Sequence, residues 1–157
     1  MKFIIILAIF LTSLLISQEL KVKANSFKAD EKSGTSIFSG KVNVIKGSDE
    51  LNASRVEIYM DKKHKPTRFV ATGNVSFKIK TKNGNMYRGK SQRLIYLPLK
   101  KEYHFFKSVH LKQLNDKKEI IGEEVFLNTI NGKAYAKGAK NEPVIMIFNI
   151  KDDKGEK

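Results

Sequence analysis

The chain of 157 residues has room for one domain and a short appendage, and its 41% hydrophobic content supports a core rather than wholesale disorder. It has no Cys, which excludes disulfides and thiolate-held metals. Lys and Arg number 30 against 16 Asp and Glu, and the resulting +14 favours an anionic partner such as nucleic acid, lipid headgroups or acidic glycans.

The N-terminus chooses among these partners. Met1-Lys2 is a short basic start, and Phe3 to Ile16 is an apolar run broken only by Thr12 and Ser13. As a helix that run is about 21 Å long, short of the roughly 30 Å hydrocarbon core. Residues 1–17 therefore read as an export signal ending at Ser17, although Leu15 stands where a small residue is preferred. Export of a Lys-rich, Cys-free chain indicates a bacterial periplasm and argues against nucleic acid.

After residue 19 no stretch sustains apolar residues at helical spacing, and the two-residue alternation of strands takes over. Leu20-Lys-Val22-Lys-Ala24 is a first strand, and a second lies around Phe27 and Ala29. Asp30 to Gly34 is a turn. In Phe38-Ser-Gly40-Lys-Val42-Asn-Val44 the even positions share one dry face and Ser39, Lys41 and Asn43 the wet one. After a turn at Lys46 to Asp49, Leu51 and Ala53 point inward, and then Val56 and Ile58 take the opposite parity. A mid-strand change of phase marks a β-bulge or a corner.

The phrase returns. Gly73-Asn-Val75-Ser-Phe77 is followed by Tyr87-Arg-Gly89 and Leu94-Ile-Tyr96, and Phe105 to Leu111 by Ile120 to Leu127. Val42, Val75 and Val109 are 33 and 34 residues apart, and the phase slip recurs between Gly122 and Val125. Lys82 to Asn85 and Asn131-Gly132 are Asn-Gly turns. Asp61 to Pro66, Leu97 to Lys101 and Asn115 to Lys118 are further connections. Val144, Met146, Phe148 and Ile150 alternate with Ile145 and Ile147, giving a strand apolar on both faces, and residues 151–157 read as a disordered charged tail. The total is about a dozen strands of about five residues, an all-β chain better suited to a sandwich or jelly roll than to a β-helix.

Catalytic and metal signals are missing. His104 and His110 share parity, but their spacing is not that of strand-borne ligands, and with His64 they read as solvated. Glu123 and Glu124 point to opposite faces, and no nucleophile elbow or phosphate-binding glycine loop is present. No enzyme, metal or cofactor is expected. Lys41, Lys78, Lys80, Arg88 and Lys90 lie outward, with a denser basic group at Lys62, Lys63, Lys65 and Arg68. Asn52-Ala-Ser54 fits a glycosylation acceptor pattern.

In order and spacing, Leu20-Lys-Val22-Lys-Ala24-Asn, Phe38 to Val44, Leu51-Asn-Ala53-Ser-Arg-Val56, Tyr87 to Tyr96 and Ile120-Ile-Gly122-Glu-Glu-Val125 resemble the LptA/OstA family of periplasmic lipopolysaccharide-transport proteins. The likeness covers about residues 20–150, within a domain taken as 18–150. Lys107 stands where the repeat has glycine, which leaves the geometry there open. The resemblance implies a twisted, V-shaped β-jelly roll whose two antiparallel sheets enclose an apolar groove for lipid A acyl chains. It places lipid contacts at Leu20, Val22 and Phe77; parity adds Phe38, Val42, Val44, Val56, Ile58, Val75, Leu94, Tyr96 and Val109. It also implies head-to-tail self-association and contacts with an LptC-like inner-membrane and an LptD-like outer-membrane subunit. The edges expected to carry them are Leu20, Val22 and Ala24 at one end and Val144, Met146, Phe148 and Ile150 at the other. The alternatives are an LptC-like subunit that keeps its N-terminal anchor, and a β-helix protein acting on acidic polysaccharide.

Overall fold

A computed structural model describes residues 19–150. The export-signal reading of residues 1–17 and the disordered-tail reading of 151–157 lie outside the described residues. Ten strands are present: β1 (Leu20–Lys23), β2 (Ser26–Asp30), β3 (Thr35–Lys46), β4 (Asp49–Met60), β5 (Pro66–Lys80), β6 (Met86–Leu97), β7 (Glu102–Gln113), β8 (Lys118–Asn128), β9 (Ala134–Lys137) and β10 (Ile145–Ile147). All pair antiparallel in one sheet of order β1-β3-β4-β5-β6-β7-β8-β10, with β2 also on β3 and β9 also on β8.

The six central strands are 11 to 15 residues long, not the five or so that the sequence suggests. Each runs unbroken through a bend. On β3, β5 and β7 the bend is a pair of residues in the left-handed region: Gly40 (φ 80°) and Lys41 (46°), Gly73 (84°) and Asn74 (44°), Lys107 (63°) and Ser108 (50°). Each pair puts one extra residue into its strand. Ser39 faces Arg55 and Val42 faces Ala53, so three steps along β3 match two along β4. The extra residue keeps inward parity intact on β3, from Phe38 to Val42, and forces the slip onto β4. The same holds for β5 against β6 and for β7 against β8. Lys107 therefore adopts the glycine geometry of the other two repeats without being glycine.

Along this row of bends the sheet folds back on itself. Phe77 on the later arm of β5 and Phe105 on the earlier arm of β7 stack with ring centroids 4.3 Å apart, although β6 separates their strands. The two layers of the jelly roll are thus the two arms of one hydrogen-bonded sheet. Val42, Val56, Val75, Val109, Val125 and Phe105 are sealed where the arms join. Each edge is split to follow the bend. β1 covers Asn43–Lys46 of β3 while β2 covers Thr35–Ser39, and β9 and β10 divide β8 in the same way.

Candidate functional site

Apolar alternation sets what lies between the arms. Side chains of equal parity on each arm face the other arm, and they pack into one cluster reaching from Val42 to Leu127. Of the residues expected to contact lipid, Val42, Val56, Ile58, Val75 and Val109 are almost fully covered by the protein's own side chains. They form the floor at the bends. Val22 and Phe38 are half-buried against this cluster, and the Phe38 ring lies 4.9 Å from that of exposed Phe27. Leu20, Val44, Phe77, Leu94 and Tyr96 come together around a cavity of about 70 Å³.

The surface of that cavity is nearly all apolar; Leu51, Phe69, Ala71, Ile79 and Tyr103 continue its wall, and Lys46, Asp49, Glu50 and Lys78 also border it. It holds about two water-sized volumes, at roughly 30 Å³ each. Leu51 was legible as inward; Ile79 continues the parity of Phe77. Phe69 and Ala71 were missed because Pro66 to Thr72 does not read as a strand until the bend at Gly73 is known to continue it.

The mouth of the cavity is polar. A second recess of about 270 Å³ adjoins it, sharing Lys46, Asp49, Ile79, Tyr96 and Tyr103 and adding Lys82 and Lys101. Burial pushes the Lys101 ammonium below the ordinary lysine value, and the like charges of Lys46 and Lys82 push it further. Burial raises the Asp49 carboxyl, although the Lys80 N–H donates to it at 2.8 Å and Lys46 and Lys101 attract the anion. The Tyr103 ring stacks on Tyr96 at 4.3 Å, and burial holds its hydroxyl protonated far beyond the usual phenol range. Four lysines, Lys46, Lys80, Lys82 and Lys101, and one carboxylate thus flank an apolar opening, an arrangement suited to an amphiphile with an anionic head.

The edges differ. Ile145, Met146 and Ile147 of β10 are each about half exposed, as are Phe148 and, more so, Ile150. The paired segment is shorter than Val144 to Ile150, because β8 begins at Lys118 and Ile147 already faces Glu119. Phe148 and Ile150 run past the end of the ladder, and Val144 precedes it beside Gly122. At the opposite edge Ala24 is half-buried and Lys21 and Lys23 are exposed.

The histidines do not meet. His104 and His110 share parity but sit on opposite arms of β7, either side of the bend. The His110 Nε2 pairs with Glu119 at 2.7 Å, and His104 lies edge-on to Phe126 with Glu102 3.6 Å away. Among the described residues no three His, Asp or Glu side chains gather as metal ligands. Asn52 lies within β4, where its carbonyl oxygen accepts from the Asn43 amide at 2.8 Å.

A family model described as LptA/(LptD N-terminal domain) LPS transport protein matches residues 21–133. Among solved structures, the chain is similar to LptH of Pseudomonas aeruginosa, described as the LptA homologous periplasmic component of the lipopolysaccharide transport device. The TM-score is 0.75 at 18% identity, over 85% of this chain and 96% of that one, a likeness of fold. No curated protein sequence matches significantly.

Proposed function

The chain belongs to the LptA/LptD N-terminal-domain family of lipopolysaccharide-transport proteins, and on that premise we propose that it carries the lipid across the periplasm with the acyl chains held between the two arms of its bent sheet. The observation that carries this reading is the apolar cavity opening beside Lys46, Lys82 and Lys101. Each methylene withdrawn from water contributes about 0.8 kcal/mol, so a dry path is what a lipid crossing an aqueous space requires. A cavity of about 70 Å³ is too small for an acyl chain. Loading therefore spreads the arms about the row of bends, and five methylenes taken up contribute about 4 kcal/mol toward that opening. The cations at the mouth meet the phosphates of the head while the tails pass Leu51, Phe77 and Tyr96.

Relay between membranes follows from the edges. β10, apolar on both faces, joins the β1 edge of a second copy or of a related subunit by strand addition. An LptC-like subunit at the inner membrane and an LptD-like subunit at the outer membrane would end the chain of copies. The family is one of transport proteins, so no catalytic step is assigned.

Photo-crosslinkers at Leu51 and Phe77, both inward, should capture lipopolysaccharide in cells, and one at Lys41 on the outer face should not. Equal capture at all three positions would overturn the trough reading.

A further inference from the structure

The face of the sheet turned away from the trough carries a second recess. On the arm formed by the first half of β4, the second half of β5 and the first half of β6, outward positions bring Glu50, Asn52, Ser76, Lys78, Arg88 and Lys90 together. His110 and Lys112 of β7 complete the group around a depression of about 470 Å³. The register is specific: Lys78 faces Arg88, Arg88 faces Lys112, and Lys90 faces His110. Like charges directly opposite on neighbouring strands destabilise a sheet. The nearby carboxylates offset this crowding only in part. Glu50 faces Lys78 and Glu119 faces Lys112, but Glu50 accepts from the Asn43 amide at 2.9 Å, and Glu119 is engaged by His110 at 2.7 Å and Lys112 at 3.5 Å. Among the described residues no carboxylate lies within 4.0 Å of Lys78, Arg88 or Lys90.

We infer that this outer shelf is a separate binding site for a ligand carrying two or more closely spaced phosphate groups. The strands that carry its cations are about 4.8 Å apart, and positions two apart along a strand about 6.8 Å. Spacings of that order suit the two terminal phosphates of a tripolyphosphate, or phosphates on neighbouring hydroxyls of a headgroup, rather than two phosphates joined by one bridging oxygen. Arg88 supplies a fork for two phosphate oxygens, Lys78, Lys90 and Lys112 supply point charges, and Ser76 and Asn52 supply neutral polar contacts. The small side chains of Ser76 and Asn52 leave the room that longer residues would fill. The cations of the shelf project from the face opposite the trough, although Glu50, Phe77 and Lys78 border both recesses, so a water-soluble phosphate with no acyl chain is the probe that separates the two.

Titration calorimetry of the protein with tripolyphosphate tests the site. Saturable one-to-one binding is expected, at least tenfold tighter than to monophosphate. The double variant Lys78→Gln, Arg88→Gln should lose at least tenfold in affinity while melting at or above the wild-type temperature, since two repelling charges are gone. The control Lys62→Gln, Lys63→Gln removes the same charge from the loop after β4 and should change affinity less than twofold. Equal weakening in both variants would mean the ligand responds only to the net charge, and absent saturation would mean no site; either overturns the inference. Vesicles of phosphatidylglycerol in phosphatidylcholine identify the source. Capture lost in the Lys78/Arg88 variant alone puts the phosphates on a lipid, and tripolyphosphate binding without vesicle capture puts them on a soluble ligand.

Discussion

Substituting the first residue of each left-handed pair tests how the sheet is bent. Gly40 has φ 80°, and an added Cβ would come within 2.7 Å of the Asn25 amide nitrogen and 2.9 Å of its Cβ. Gly73 has φ 84°, and an added Cβ would come within 2.7 Å of the Ser54 hydroxyl, which donates to the Gly73 carbonyl at 3.2 Å. A left-handed L-residue costs about 1–2 kcal/mol, and crowding adds about 1–3 kcal/mol, at the low end where an exposed side chain can swing away. Restricting the unfolded chain returns about 0.5–1 kcal/mol. Gly40→Ala and Gly73→Ala should therefore each lose about 1–3 kcal/mol. At Lys107 the signs reverse, because φ 63° is already occupied by a residue with a Cβ. Lys107→Gly removes about 1–2 kcal/mol of strain and gives back about 0.5–1 kcal/mol of unfolded-state entropy, a net gain of about 0.5–1 kcal/mol. Lys107→Ala keeps the strain and deletes the charge, so it should be close to neutral. Urea unfolding reads all four. With a slope of about 2 kcal/mol/M, the alanine variants at Gly40 and Gly73 move the midpoint down by about 0.5–1.5 M, and Lys107→Gly moves it up by about 0.25–0.5 M. A lowered midpoint for Lys107→Gly, or unchanged midpoints for both glycine variants, would refute the left-handed pair as the device that bends these strands.

Lysine at Met146 and Ile147 together should weaken self-association at least tenfold by sedimentation velocity and leave the monomer's stability within about 0.5 kcal/mol, since both side chains face solvent; unchanged assembly would place the contact on another edge. Asp49→Asn keeps an acceptor for the Lys80 N–H and removes a carboxylate that burial raises above its ordinary value. A raised acid binds protons more tightly in the folded state, so its destabilising effect grows as pH rises. The variant should melt higher than wild type at pH 7, with the gain vanishing below the ordinary carboxylate range; a lower melting temperature at pH 7 would mean that Lys46 and Lys101 outweigh burial. Glu119 has the opposite sign, because its hydrogen bond to His110, with help from Lys112, holds it below the ordinary glutamate value. Its stabilisation is present above that value and lost as pH falls through the lowered one. Glu119→Gln should therefore melt lower than wild type at neutral pH and converge with it in acid.

Faces were legible in the sequence and distances were not. Alternation put Val42, Val75 and Val109 inward, and all three are buried. The slips at Ala53/Val56 and Gly122/Val125 coincide with bends, but the equivalent slip on β6 is hidden because its inward residues there are Gly89 and Ser91, which carry no apolar signal. Strand number was overcounted and strand length underestimated because each central strand runs unbroken through its bend, as β5 does at Gly73 and Asn74. Parity assigns a residue to the space between the arms without fixing how wide that space is. So it could not separate Val56, sealed in the floor, from Tyr96, which lines the cavity. The cations at the mouth were not legible either, since Lys46 at the end of β3 and Lys82 and Lys101 in two later connections are brought together only by the fold.

The two edges of the sheet are unequal, and the inequality bears on how copies would associate. β1 presents Lys21 and Lys23 to solvent, the usual protection of an edge against indiscriminate pairing. β10 presents Ile145, Met146 and Ile147, all substantially exposed, with no charge among them. Two β10 edges meeting would bury apolar side chains but leave both β1 edges unused, closing a dimer at two subunits. A β10 edge meeting a β1 edge instead leaves one free edge of each kind at every step, and the array continues. The short ladder of β10 leaves Phe148 and Ile150 beyond its end, where on the proposed reading they would lie across a neighbour near Leu20, at the wall of the apolar cavity. A head-to-tail contact of that kind extends the dry surface from one subunit to the next, whereas a symmetric dimer would interrupt it. On the proposed reading, like charge keeps one β1 edge from pairing with another and leaves the uncharged β10 as its partner, which is the open-ended arrangement.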